Sequence, residues 1–324
     1  MPEICASHAV RIAGRRHGVP CFGRRAASAL AAALAFALLV PAAANGAAPA
    51  TDEPKPIPPP VLRAKSTDLA ARFDASAFGR PLVLESSEVP DRLRGDVFAR
   101  LDHPYALVRG SLQDAGQWCE VLILHLNVKY CRQEPTAQAI MLAVGIGPKS
   151  GQLVEKSFRV EFSYRVVRSA PDHLAIVLSA DKGPVGTRDY RILFEAVPVN
   201  DAQTFMHLAY AYGYGRAARL GLMAYLGTSG AHKVGFTVAR TDGSGQPVYV
   251  DGLRGLVERN AMRYYLAIES YLGALSLPAA ERPEKRFADW YAAIERYPRQ
   301  LHELDREDYL EMKRREYRRQ QSMP

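Results

Sequence analysis

The chain has 324 residues, 48% hydrophobic, 23% charged and 9% aromatic, globular proportions that exclude wholesale disorder, a collagen-like repeat and a disulfide-dense miniprotein. Residues 1–48 hold five arginines and one acid, Glu3, so the formal charge of +8 drops to +4 without them. A charge of +4 is too mild for a nucleic-acid binder.

The basic stretch Arg11 to Arg25 precedes an apolar run, Ala26 to Val40, that Pro41 breaks before Ala42-Ala43-Ala44. This is the three-part layout of a secretory signal. The run is shorter than the ~20 residues a spanning helix needs, so cleavage near Ala44 is expected, with an uncleaved anchor as the alternative. Residues 1–44 are thus read as a signal peptide. The alanine- and arginine-rich style points to a bacterium and hence to a periplasmic or secreted protein. Only Cys119 and Cys131 remain after cleavage, and an even pair in an exported chain predicts a disulfide. A metal or redox pair is the poorer reading, because the spacing is too wide for Cys-x-x-Cys chemistry.

Residues 45–64 are proline-rich, and Pro58-Pro59-Pro60 predicts an extended tether. Residues 65–94 read as an N-terminal arm, with a short helix Ser66–Phe73 capped by Ser66 and a strand Pro81–Glu85. A strand Asp96–Leu101 then leads into a helix Pro104–Asp114 that Gly116 breaks. The alternation of Leu122, Leu124, Leu126, Val128 and Tyr130 predicts a strand to Cys131 whose other face carries His125, Asn127 and Lys129. Further one-sided strands are expected at Phe158–Val166, His173–Ala180, Arg188–Val199 and Gln203–Tyr214. Arg216–Leu226 reads as a helix and Lys233–Arg240 as the last strand. The strongest helix runs from Asp251, its cap, to Leu275, with Leu253, Val257, Ala261, Tyr264, Ile268, Tyr271, Leu272 and Leu275 on one stripe and Arg254, Glu258, Arg259, Arg263 and Glu269 mostly elsewhere. In the tail, residues 278–324, a stripe of Phe287, Trp290, Tyr291 and Ile294 is followed by a final helix capped by Asp305 and ending in a basic cluster.

Gly95–Leu101 leading into Asp102-His103-Pro104-Tyr105-Ala106-Leu107-Val108, the loop Gln113-Asp114-Ala115-Gly116-Gln117-Trp118 and the closing helix Asp251–Leu275 carry a resemblance in order and pattern. Residues 95–277 resemble the helix-grip (SRPBCC) superfamily of START-type lipid-transfer domains, polyketide cyclases and birch-pollen allergens. The resemblance implies an α+β fold in which a curved antiparallel sheet grips the long C-terminal helix, extended here by the arm and two tail helices. It also implies an elongated apolar cavity for a lipid, isoprenoid or polyketide. The candidate lining residues are Phe162, Tyr164, Tyr210, Tyr212, Tyr214, Asn260, Tyr264, Ile268 and Tyr271, because tyrosine joins apolar area to one polar tip. Alternatively, these tyrosines only fill the core.

No Gly-x-Ser-x-Gly, His-Glu-x-x-His or P-loop is present. Catalysis, a cofactor and a metal are therefore not expected. The expected function is an exported carrier of a hydrophobic small molecule or lipid. An enzyme of cyclase or hydrolase type, using His125 or Asp102-His103, is one alternative. An envelope scaffold gripping a partner through its tail helices is another. The tail stripe is expected to dock on the outer side of the long helix near Met262 and Leu266, with peripheral membrane contact through the basic final helix as its rival.

Overall fold

A computed structural model describes residues 53–137, 139–148, 156–227, 230 and 232–322. The expected signal peptide lies outside the described residues.

Two short helices, α1 (Pro59–Asp68) and α2 (Ala70–Asp74), come first. The strands β1 (Leu82–Val89) and β2 (Arg92–Leu101) are followed by α3 (Tyr105–Leu112) and α4 (Ala115–Leu122). Then come β3 (Val128–Pro135), β4 (Ile140–Ile146), β5 (Phe158–Ala170), β6 (His173–Lys182), β7 (Thr187–Pro198) and β8 (Thr204–Tyr214). After α5 (Arg216–Gly227), β9 (Val238–Thr241) and β10 (Pro247–Tyr249) lead into α6 (Gly252–Gly273), and α7 (Arg282–Ile294), α8 (Pro298–Leu301) and α9 (Arg306–Ser322) close the chain.

Among the described residues, β1 to β8 form one antiparallel sheet in the order β1-β2-β8-β7-β6-β5-β4-β3. Alternation along β2, β5, β6, β7 and β8 turns Leu93, Val97, Val160, Phe162, Leu174, Ile176, Ile192, Phe194, Leu208 and Tyr210 to one inner face. A sheet apolar on one face must cover it, and α6 does so, packing on β1, β2 and β8. Its closest approach is at Gly95 on β2, where a Cβ would stand 3.1 Å from the Ala261 Cβ and 3.3 Å from the Val257 carbonyl oxygen. This is the helix-grip arrangement.

The outer side of α6 is covered as well. Phe287, Trp290, Tyr291 and Ile294 of α7 are buried, and the Trp290 indole donates to the Arg263 carbonyl at 3.1 Å. The tail therefore docks where Met262 and Leu266 lie, both fully buried. With that double cover, Glu258, Arg259 and Arg263, off the apolar stripe, are buried too. Glu258 accepts from the Phe236 and Thr237 backbone N–H groups and from the Thr237 hydroxyl. Arg263 pairs with Glu303 at 2.8 Å.

Several local expectations fail for identifiable reasons. The proline-rich stretch is not an extended tether throughout, because Pro59 and Pro60 occupy the first turn of α1, where a missing N–H costs nothing, and Leu62 is buried. Ser66 consequently lies inside α1 and caps nothing. Gly116 does not break a helix but sits inside α4, whose true cap is Asp114, accepting from the Gln117 N–H at 3.2 Å. Asp251 occupies the N-cap position of α6 without a side-chain cap bond.

The expected strand Leu122–Cys131 begins only at Val128. Ile123, Leu124 and Leu126 are all buried in the turn after α4, so apolar residues of both parities point inward and the alternation was coincidental. The expected last strand, Lys233–Arg240, shrinks to Val238–Thr241, which pairs with β10 in a separate hairpin and adds nothing to the main sheet. Strand β4 was not anticipated. The stretch expected as an arm supplies β1, which pairs with β2 from Leu82↔Ala99 to Val89↔Arg92.

Candidate functional site

The inner face carries a cluster of aromatic rings between the sheet and α6. Strand β8 places Tyr210 and Tyr212 on that face, β7 adds Tyr190, β5 adds Phe162, and α6 lowers Tyr264 onto them. Ring centroids are 5.2 Å apart for Tyr210–Tyr264, 5.6 Å for Tyr210–Tyr212 and 6.3 Å for Phe162–Tyr190. Tyr190 stacks on Tyr212 at 5.2 Å. Gly183 makes room for Tyr190, since a Cβ there would overlap its ring.

The hydroxyls matter more than the rings. Tyr190 shares a hydrogen bond with the Thr187 hydroxyl at 2.7 Å, and burial pushes its phenol up to about 12. Burial also pushes Tyr210, Tyr212 and Tyr264 well above the usual phenol range, with the neighbouring tyrosines adding to the rise. Among the described residues the phenol hydroxyl that is buried without a hydrogen-bond partner is that of Tyr214, at the end of the same strand as Tyr210 and Tyr212. A buried hydroxyl left unsatisfied costs about 1–3 kcal/mol, so Tyr214 carries an unmet polar demand at the edge of the cluster. Tyr190 and Tyr264 also keep accessible surface, although both rings lie deep between sheet and helix.

The other expected lining residues are occupied elsewhere. The Tyr164 hydroxyl donates to the Leu112 carbonyl at 3.2 Å, tying β5 to α3. Tyr271 donates to Gln117 Oε1 at 2.7 Å, under the Arg286 guanidinium 4.6 Å from its ring. Ile268 is fully buried core, and Asn260 is half-buried on α6. Tyr214, at the end of β8, lies close enough to Glu88 and Arg219 for both to act on its phenol. Tyr190 was missed from the sequence, although it shares a register with Ile192 and Phe194 in the β7 alternation.

His125, Asn127 and Lys129 do not form one strand face. His125 stacks on Tyr264 at 5.0 Å, Asn127 donates to the Gly147 carbonyl at 2.8 Å, and Lys129 is buried against Glu316 at 3.1 Å. The Asp102 carboxylate accepts from Gln203 at 2.8 Å, and among the described residues no hydrogen bond joins it to the His103 imidazole. Among the described residues, no group of three or more His, Cys, Asp or Glu side chains is arranged for a metal ion. Cys119 and Cys131 are joined in a disulfide that ties α4 to β3.

A second polar cluster, unforeseen in the sequence, lies on the outer face. His207 bridges Asp96 (2.7 Å) and Glu195 (3.0 Å), with His173 3.4 Å from Glu195 and Arg94 on Asp96 at 2.7 Å. Phe98 stacks on the His207 ring at 4.5 Å, and the Ile57 N–H donates to Glu195 at 2.7 Å. Leu62, Leu69 and Phe73 pack with Phe98 on this face. Its imidazole–carboxylate pair is thus covered by the N-terminal segment and stands on the opposite face from the phenols.

No family model matches the sequence, and no curated protein sequence matches it. Solved structures that align with the chain include truncated norcoclaurine synthase from Thalictrum flavum, at 10% identity and TM-score 0.31 over 45% of this chain and 89% of that one. Human StAR-related lipid transfer protein 5 aligns at 9% identity and TM-score 0.28 over 52% of this chain and 90% of that one. A conserved protein from Geobacillus kaustophilus aligns at 16% identity and TM-score 0.29 over 43% and 86%. The helix-grip assignment rests on the strand order and on the place of α6.

Proposed function

We propose that this protein binds a largely apolar small molecule bearing polar substituents, held between α6 and the inner face of the sheet. The observation that carries the reading is the cluster of phenols on the inner face, Tyr190, Tyr210, Tyr212 and Tyr264, beside the buried and unpartnered hydroxyl of Tyr214. A ligand that is mostly hydrocarbon but carries one or two hydrogen-bonding groups meets that demand, and apolar walls with few polar tips are what small-molecule sites use. Carriage rather than turnover fits best, because the buried imidazole–carboxylate pair at His207 lies on the far face of the sheet.

The same proposal includes export. Residues 1–44 have the layout of a signal peptide, and the Cys119–Cys131 bond is of the kind that persists in oxidising compartments. A mature N-terminus near residue 45 on protein recovered from the periplasm or medium supports this part, and an intact N-terminus on cytoplasmic protein overturns it.

Binding is tested by titrating the folded protein with N-phenyl-1-naphthylamine, a neutral apolar dye that fluoresces out of water. Saturable enhancement that Tyr264→Trp abolishes, through crowding the rings at Tyr210, is the expected result. A folded protein that gives no saturable signal overturns the reading.

A further inference from the structure

At the end of the grip where β1 turns into β2, a cleft of about 580 Å³ is lined by Ser86, Ser87, Glu88, Val89 and Pro90, by Arg219 of α5 and by Arg254 in the first turn of α6. It shares the inner face with the phenol cluster. Ser86 pairs with Gly95 and Gly95 with Tyr210, while Glu88 pairs with Leu93 and Leu93 with Tyr212. The cleft wall therefore stands two strands, about 10 Å, from the tyrosines, and since α6 presses on Gly95 in the Ser86–Tyr210 row, the way between them follows the Glu88–Leu93–Tyr212 row.

Arg254 is held in place within this cleft. Its Nε donates to the Ser86 hydroxyl at 2.8 Å, and that hydroxyl donates onward to Glu258 Oε1 at 2.5 Å. Glu258 is buried and already accepts from three other donors, so the serine is anchored and the guanidinium with it. Both Nη groups of Arg254 remain without a partner among the described residues. An arginine fixed through Nε with its Nη edge open is oriented to take an oxyanion, at a smaller entropic cost than a free side chain pays. Across the cleft Arg219 adds a second guanidinium, and Glu88 supplies one opposing charge, which leaves the lining net positive.

We infer that this cleft receives the negatively charged end, a carboxylate or phosphate, of an amphiphilic ligand whose apolar body lies among the tyrosines. The inference rests on the ligand-binding reading above and narrows it to anionic amphiphiles. The two arginines serve the head, and the phenols serve polar groups further along the body.

The test sets dodecanoate and dodecyl phosphate against dodecanol, each displacing N-phenyl-1-naphthylamine from the full mature chain at neutral pH and low salt. One or both anions are expected to compete at least about tenfold better than the alcohol, and the stronger of the two identifies the head. Arg219→Gln, on the exposed side of α5, is expected to remove most of that advantage while leaving dodecanol unchanged. Arg254→Gln should do the same, with thermal unfolding used to confirm that the domain stays folded. Equal competition by all three compounds, or an anion advantage that survives both substitutions, overturns the anion site and leaves the binding function standing. Failure of all three to displace a dye that does bind also overturns the anion site. A dye that does not bind at all overturns the underlying reading.

Discussion

Glu195 and His207 face each other as register partners on β7 and β8, with 3.0 Å between Oε2 and Nδ1 and neither side chain reaching water. Burial opposes charge on the imidazole, but hydrogen bonds to Asp96 and Glu195 outweigh it and hold the His207 pKa above its ordinary 6.5. Burial likewise opposes charge on the carboxylates. Hydrogen bonds from His207 and Arg94 nonetheless hold Asp96 below 3.8, and the nearby His173 ring together with the hydrogen bond from His207 holds Glu195 below 4.5. The imidazolium thus contributes stability that is complete below pH 6.5 and is lost as pH rises through the raised folded value. The carboxylates contribute stability that is complete above about pH 4.5 and is lost as pH falls through their lowered values.

The first prediction concerns that bridge. His207→Ala leaves two buried carboxylates without their shared cation and should destabilise the fold by about 3–5 kcal/mol near pH 6. Urea unfolding at a series of pH values should show the gap between wild type and variant shrinking as the pH climbs through the raised His207 value. A gap independent of pH would mean that His207 is neutral in the folded protein.

The second concerns the pairing of α9 with β3. Glu316 accepts from Lys129 at 3.1 Å and from Lys313 at 2.8 Å, all three buried. Burial, against the pull of Glu316, brings Lys313 down to about 8. Glu316→Ala strands two ammonium groups and should cost about 3–5 kcal/mol. A lysine depressed in the fold destabilises it while protonated, so this variant should recover stability as pH rises from 8 towards 10.5. Thermal melts across that range would show the recovery, and a flat profile would refute it.

The third concerns the disulfide. Cys119 and Cys131, twelve residues apart, are both buried and join the end of α4 to β3. Replacing both by serine should lower stability by roughly 3 kcal/mol, the loop-closure entropy returned to the unfolded chain. The urea midpoint of the double variant should match that of reduced wild type. A reduced protein as stable as the oxidised one would refute the assignment.

The fourth lies at the β6–β7 turn. Val185 sits at φ 58°, ψ 27°, a left-handed conformation that a β-branched residue adopts only under strain, and its side chain is 63% exposed. Val185→Asn should stabilise the protein by about 1 kcal/mol, and Val185→Gly by less, because glycine also loosens the unfolded chain. A drop in melting temperature for both would show that the contact of Val185 with α5 above Gly221 outweighs the strain.

The parts of this fold that were legible in the sequence are those where periodicity and burial agree. Strands β5 to β8 and the stripe of α6 are apolar on the side that is buried, so alternation and helical spacing report them correctly. Leu122 to Leu126 misled for the opposite reason, since a short turn buries residues of both parities and imitates nothing regular. Tyr210, Tyr212 and Tyr264 were found because β8 and α6 each show them on an apolar face. The Lys129–Glu316 and Asp96–His207–Glu195 contacts were not found, because they join residues between 12 and 187 positions apart and leave no local pattern. Arg254 could be read from the sequence only as lying off the apolar stripe of the long helix, and the anchoring of Ser86 by Glu258 gives it a direction.

The fifth prediction addresses the grip itself. Gly95 lies in the middle of β2, its neighbours Arg94 and Asp96 pairing with Ala211 and Ala209 of β8, and α6 crosses directly above it. Any Cβ there would press on the Ala261 side chain and the Val257 carbonyl, and neither the helix backbone nor an alanine methyl can swing aside. Gly95→Ala should therefore cost about 1–3 kcal/mol by overpacking, although alanine normally favours an extended strand over glycine. Gly95→Val should cost more and lift α6 from the sheet. The lift should appear as faster amide exchange along α6 and as loss of dye binding among the tyrosines. Cutting the helix-side group back, by adding Ala261→Gly to Gly95→Ala, should recover part of the loss, with a coupling of about 0.5–1 kcal/mol between the two sites. If Gly95→Ala proved neutral and uncoupled from Ala261, α6 would not rest on β2 at this point, and the space assigned to the ligand would have to be drawn anew.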